Sequence, residues 1–215
     1  MEKSKSAVIF DLDGVLLSTD RFHYLAWKAI ADTLSIPFDE AVNNRLRGVS
    51  RMESLNIILS YSDLTFTQEE KEELAEKKNS IYRSYLEGMS PNDVSDDVRR
   101  TLSELRKRGI PLAIGSGSKN TGFILDKTGL RDSFDTIVDG TMITKAKPDP
   151  EVFLKAAGLL HYPYGSCYAV EDSFAGIEAA YHGGFHPVGI GDAKHSPYTE
   201  FTLDCLSDLL RIVEA

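Results

Sequence analysis

Cysteine is scarce in this chain of 215 residues, with only Cys167 and Cys205 present. Two cysteines without CxxC spacing exclude a disulfide-stapled secreted domain and a cysteine zinc site, and a reducing, cytoplasmic compartment is the expectation. Long apolar runs are missing as well. No stretch approaches the ~18 residues that a membrane-spanning helix requires, and the opening MEKSKS has no signal-peptide core, so no membrane partner is expected. Positive charge is in short supply: 24 Lys and Arg against 33 Asp and Glu leave a net charge of −9. Nucleic acid is therefore not an expected partner, because it calls for basic patches. An anionic small molecule remains compatible wherever the few cations converge. Internal repeats and low-complexity tracts are absent too. What remains, with 42% hydrophobic residues, is enough to bury a core.

Short apolar runs at Ala7–Phe10, Pro111–Gly115, Thr136–Val138, Tyr168–Val170 and Pro187–Ile190 read as strands. From Ser95 onward they alternate with helical patterns, which predicts an α/β protein. The expected core is a doubly wound parallel sheet, Rossmann-like, with helices on both faces. Between about Leu17 and Met89 the rhythm breaks into helical segments with no convincing strand. This predicts an inserted all-helical cap over 17–89, and a core formed by 1–16 together with 90–215.

The stretch VIFDLDG runs an apolar strand into two carboxylates, Asp11 and Asp13, followed at once by Gly14. Open parallel sheets bind ligands beyond the carboxyl ends of their strands, and residues two apart project to the same side. Two carboxylates so placed repel unless a cation, a phosphoryl group or a shared proton separates them. One can act as a nucleophile and the other as an acid/base. Further along, LAIGSGSKN ends a strand in Ser116, whose hydroxyl and neighbouring amides suit phosphate oxygens. Lys147 in TKAKPDP can balance phosphate charge. Glu171 and Asp172 in YAVEDS are hard oxygen donors suited to Mg²⁺. Each has an ordinary structural explanation, but four such positions in chain order are hard to dismiss together.

These four motifs resemble those of the haloacid dehalogenase superfamily of phosphoryl-transfer enzymes, along nearly the whole chain. The resemblance implies a parallel-sheet core with a mobile cap. It implies Asp11 as nucleophile, Asp13 as acid/base, Ser116 and Lys147 as further catalytic groups, and one Mg²⁺ per active site. The metal would be held by Asp11, the Asp13 carbonyl, Glu171 and Asp172.

Within the insertion, GVSRMESL opens a helix at Ser50 or Arg51. A helix start bearing an arginine offers a second anion site, since guanidinium binds phosphate bidentately. His23 and Trp27, four apart, share one helical face; Trp27 can pack on a sugar ring, and His23 can hydrogen-bond near the aspartates. Ser118, Lys119 and Asn120 add polar groups at the core rim. Together these features are similar to the hexose-phosphate mutases of the superfamily. That resemblance implies interconversion of β-D-glucose 1-phosphate and glucose 6-phosphate, with β-glucose 1,6-bisphosphate as priming intermediate. It implies that Arg51, Ser118 and Asn120 grip the phosphate that is not transferred, that Gly48, Val49 and Ser50 line the sugar, and that Lys78 is a further contact. Thr19 and His23 would belong to the hinge and the acid/base surroundings. The expected partner is a small sugar phosphate, acting on a monomer. The alternative is a Mg²⁺-dependent hexose-phosphate phosphatase built on the same core.

Overall fold

A computed structural model describes residues 6–46 and 49–213. The apolar run AVIF forms strand β1 (Ala7–Phe10), all four residues buried. Strands this uniformly apolar belong in the middle of a parallel sheet covered on both faces. The described residues place it there, in a six-stranded sheet. The other strands are β2 (Leu112–Gly115), β3 (Thr136–Val138), β4 (Cys167–Glu171), β5 (His186–Ile190) and β6 (Phe201–Leu203). Their order is β3-β2-β1-β4-β5-β6, and every pairing is parallel. The five expected strands are present. Strand β6 was not expected: three residues are too few for an alternation to show, and FTL lacks the run of β-branched residues that marks β3, TIV.

The chain divides into two compact units, Met1–Ser18 with Met89–Ala215 and Thr19–Gly88. The second unit is helical, with α1 (Asp20–Thr33), α2 (Glu40–Asn44), α3 (Arg51–Leu59) and α4 (Gln68–Leu86). Five-residue α2 was not foreseen, for the same reason of length. This unit has its own apolar core, in which Trp27, Ile30 and Ala31 of α1 meet Leu55, Ile58 and Leu59 of α3 and Ala75 of α4. Helix starts are capped locally: the Thr67 side chain accepts from the Glu70 amide while Glu70 reaches back to the Thr67 amide.

In the sheet unit, α5 (Asp96–Lys107), α6 (Thr121–Thr128), α7 (Glu151–Leu160) and α8 (Phe174–His182) follow the strand–helix alternation. Helix α5 carries Asp96 and Asp97 in its first turn and Arg106 and Lys107 in its last, which complements its dipole at both ends. Val152, Phe153, Ala156 and Ala157 of α7 pack with Ala7, Ile9, Ala113, Val138 and Ala169 from the strands. The alanines on the sheet let the helix approach closely, and truncating the fully buried Phe153 to Ala would cost about 3–5 kcal/mol. Among the described residues no helix is long and apolar enough to cross a membrane.

Candidate active site

Sheet register assembles the site. Phe10 is level with Ile114 of β2 on one side and Val170 of β4 on the other. The next residues along, Asp11, Gly115 and Glu171, therefore meet at the carboxyl end of the central strands. This is also the point where the strand order turns, with β2 to one side of β1 and β4 to the other. Lys147, from the segment between β3 and α7, closes the group. Its Nζ donates to Asp11 Oδ1 at 2.6 Å, to the Gly115 carbonyl at 3.1 Å and to Glu171 Oε1.

Lys147 and Asp11 side chains are each 12% exposed and that of Glu171 only 1%, so the charges interact with little screening. Burial pushes the Asp11 carboxyl up to about 7 against the pull of Lys147, with Glu171 and Asp13 adding to the rise. Burial also acts to lower Lys147, but Asp11 and Glu171 outweigh it and hold the ammonium above its ordinary value. Burial, then Glu171, Asp11 and Asp13, push Asp172 up to about 8. The cluster is thus short of positive charge even with Lys147 in place.

Two glycines make room for these carboxylates. A Cβ on Gly14, where φ is +81°, would stand 1.9 Å from Asp172 Oδ2; one on Gly176 would stand 1.9 Å from Glu171 Cδ. Gly176 was missed, and its only sequence signal is its fixed place after the acidic pair, in EDSFAG.

Among the described residues no three His, Cys, Asp or Glu side chains stand together as a metal site. Glu171 has partners on both oxygens: Oε1 is engaged by Lys147, and Oε2 accepts from the Ser173 hydroxyl at 2.9 Å and from the amides of Asp172 and Ser173. Oε1 keeps a second lone pair beyond the Lys147 bond, so the lysine contact does not exclude Glu171 as an oxygen ligand.

Ser116 directly follows β2, is buried, and anchors its amide on the Val138 carbonyl at 3.0 Å. Its hydroxyl oxygen accepts from the Ser118 amide at 3.2 Å, which leaves the O–H free to donate. The Ser118 hydroxyl accepts in turn from the Asn120 amide at 3.2 Å. Asn120 is buried at the start of α6 and Lys119 is exposed.

In the helical unit, Ser50 caps α3 by accepting from the Glu53 amide, and Arg51 is the first helical residue. Arg51 Nη2 donates to Asn79 Oδ1 at 2.9 Å, and its Nη1 lies 3.6 Å from Glu76. Lys78 is buried and donates to His23 Nδ1 at 2.8 Å, so that nitrogen is unprotonated. Burial, then the positive charges of Lys78 and Arg51, hold His23 well below the ordinary imidazole range. Thr19 accepts from the Tyr82 hydroxyl at 2.9 Å. Val49 and Ser50 are exposed; Gly48 lies outside the described residues. Trp27 is a correction. At 3% exposure it packs inside the unit's own core with the Lys78 ammonium over its ring, so it is not available as a platform for a sugar.

The fold and the strand-end cluster define a class. Residues 5–184 match the family model described as haloacid dehalogenase-like hydrolase. The chain belongs to that family. It is 40% identical over 205 residues to a β-phosphoglucomutase from Bacillus subtilis (strain 168), covering 94% of this chain and 91% of the relative. The crystal structure of a β-phosphoglucomutase from Clostridium difficile superposes with a TM-score of 0.88 at 35% identity, over 95% of this chain and 92% of that one. A phosphorylated carbohydrates phosphatase from Thermotoga maritima is 28% identical, over 85% of this chain and 83% of its own length.

Proposed function

We propose that this protein is a phosphomutase that interconverts β-D-glucose 1-phosphate and D-glucose 6-phosphate through an aspartyl-phosphate enzyme. Asp11 attacks one phosphorus of β-glucose 1,6-bisphosphate, the bond to the sugar oxygen breaks, and Asp13 gives that oxygen a proton. β-Glucose 1-phosphate then binds, and Asp13 takes a proton from its C6 hydroxyl as that oxygen accepts the phosphoryl group from Asp11. The bisphosphate so formed turns end for end, so that Asp11 takes the phosphoryl group from C1 and glucose 6-phosphate is released. Lys147 and the Ser116 hydroxyl offset charge on the transferring oxygens, and positioning with electrostatics does most of the work in such transfers. A mutase must hold a second phosphate while the first is exchanged. Arg51, with Ser118 and Asn120, is our candidate for that grip.

The donor set fits a divalent cation: two buried carboxyls, Asp11 and Asp172, are both raised by burial and like charge. Asp11, Glu171, Asp172 and the Asp13 carbonyl would hold Mg²⁺, with Lys147 beside them. The ion, when bound, neutralises phosphoryl oxygens and keeps Asp11 ionised for attack.

The observation that carries this reading is the 40% identity to a β-phosphoglucomutase over 94% of the chain, a span that has to include the helical unit. The sugar-phosphate phosphatase among the relatives supports the alternative, hydrolysis of the same phosphoenzyme by water. Product analysis separates the two. β-Glucose 1-phosphate with Mg²⁺ and a trace of bisphosphate should yield glucose 6-phosphate; glucose plus inorganic phosphate would overturn the mutase reading.

A further inference from the structure

The segment that carries Lys147 has little packing of its own. Met142, Thr144, Lys145 and Ala146 are exposed, and Ile143 is the residue that reaches the apolar core. Yet Lys147 has to arrive at Asp11 and Glu171 with its ammonium aligned. One side chain ties the segment down. Glu151, the first residue of α7, accepts three hydrogen bonds on a single carboxylate oxygen. They come from the Thr144 amide at 2.9 Å, the Thr144 hydroxyl at 3.0 Å and the Lys145 amide at 2.7 Å. The other oxygen pairs with Lys155 Nζ at 2.6 Å, one turn along the helix. Residues 144 to 151 thus close into a loop with Lys147 inside it. Asp149 adds to the loop by accepting from the Glu151 amide at 3.0 Å and pairing with Lys145 at 3.2 Å.

We propose that Glu151 is a positioning residue for Lys147: its carboxylate fixes the backbone at Thr144 and Lys145 and so delivers the lysine to the Asp11–Glu171 pair. The proposal rests on the reading of Lys147 given above. Hydrogen bonds and Lys155 hold the Glu151 carboxyl down at about 2, as a carboxylate that stays ionised to accept all three donors requires.

Two conservative variants separate this tie from the general benefit of an acidic residue at a helix start. Glu151→Asp keeps the charge but withdraws the oxygens by about 1.5 Å, one carbon–carbon bond, out of hydrogen-bond range of the two amides. Glu151→Gln loses the charge but keeps an acceptor oxygen at full reach. The readout is acylation of lysines in the native protein, quantified by mass spectrometry, with exposed Lys107 as the internal standard. Lys147 should be protected in the wild type and label at least about tenfold faster in Glu151→Asp, the worth of a single hydrogen bond to a charged group at about 1.5 kcal/mol. In Glu151→Gln it should stay within about twofold of wild type. Unchanged Lys147 labelling in Glu151→Asp would overturn the proposal, as would release in Glu151→Gln alone. Phosphoenzyme formation from acetyl phosphate, measured on the same proteins, tests the catalytic link. Glu151→Asp should slow it about tenfold alone and add nothing to Lys147→Met. Faster labelling with undiminished phosphorylation would support the tie and overturn the reading of Lys147.

Discussion

Replacing Lys147 with methionine keeps most of the side-chain volume and removes only the charge. In the native protein the ammonium sits between Asp11 and Glu171, with all three side chains no more than 12% exposed. Removing one partner of a buried ion pair costs about 3–5 kcal/mol, because the remaining charge is left uncompensated. Here the low end applies. Asp11 already stands at about 7, so it can take up a proton cheaply, and Glu171 keeps the Ser173 hydroxyl and two amides. A loss of about 3 kcal/mol lowers the melting temperature by about 6–12 °C for a chain of this size. The sign of the pH dependence follows from Asp11. Its folded value is raised, so folding with a charged Asp11 grows costlier as pH rises from 3.8 through about 7. Lys147 lowers that value, so the variant's Asp11 rises further still. The deficit should therefore be largest near about pH 9 and shrink towards about pH 6, where Asp11 is protonated in both proteins. Differential scanning calorimetry with a chelator present measures it. Adding Glu171→Gln to Lys147→Met should recover most of the loss. A shift of under about 1 kcal/mol near pH 9, or a deficit that does not change with pH, would refute the account of a buried, charge-coupled cluster.

Asp11→Asn should fold and yet retain no acid-stable label from radiolabelled bisphosphate, since an amide of similar volume cannot serve as the nucleophile. Arg51→Ala should lower isomerisation by about ten- to a hundredfold, the worth of a charge-assisted contact of about 1.5–3 kcal/mol. It should leave phosphorylation by acetyl phosphate, which has no second anion, nearly unchanged; equal losses in both reactions would show that Arg51 serves only Asn79 and Glu76. A thiol reagent should titrate one cysteine in the native protein and two after denaturation. Cys205 is exposed, whereas Cys167 is fully buried in β4 and burial pushes its thiol up to about 12.

Much of this site was legible in the sequence, for a definite reason. Asp11, Ser116, Glu171 and Asp172 each stand at the end of a short apolar run, and in a parallel sheet that position alone dictates where the side chain goes. The same local logic located Ser50 and Arg51 at a helix start, which a cap residue and the following pattern announce. Elements too short for a period to repeat and without a run of β-branched residues, β6 and α2, were not legible. Strand β6 is defined by its pairing with β5, which is a matter of register between distant segments. Nor could the sequence assign partners. Lys147 and Asp11 are 136 positions apart, and their meeting also brings the lysine onto Glu171, 24 positions away. Trp27 reads as a sugar platform or, more often for a tryptophan on such a face, as a core residue, because its helical spacing is the same in both. The packing of α1 against α3 and α4 put it in the core. Chain position and periodicity are local properties and were readable from the residues. Which donors remain free for a ligand depends on every neighbour at once, and only the tertiary structure decides that.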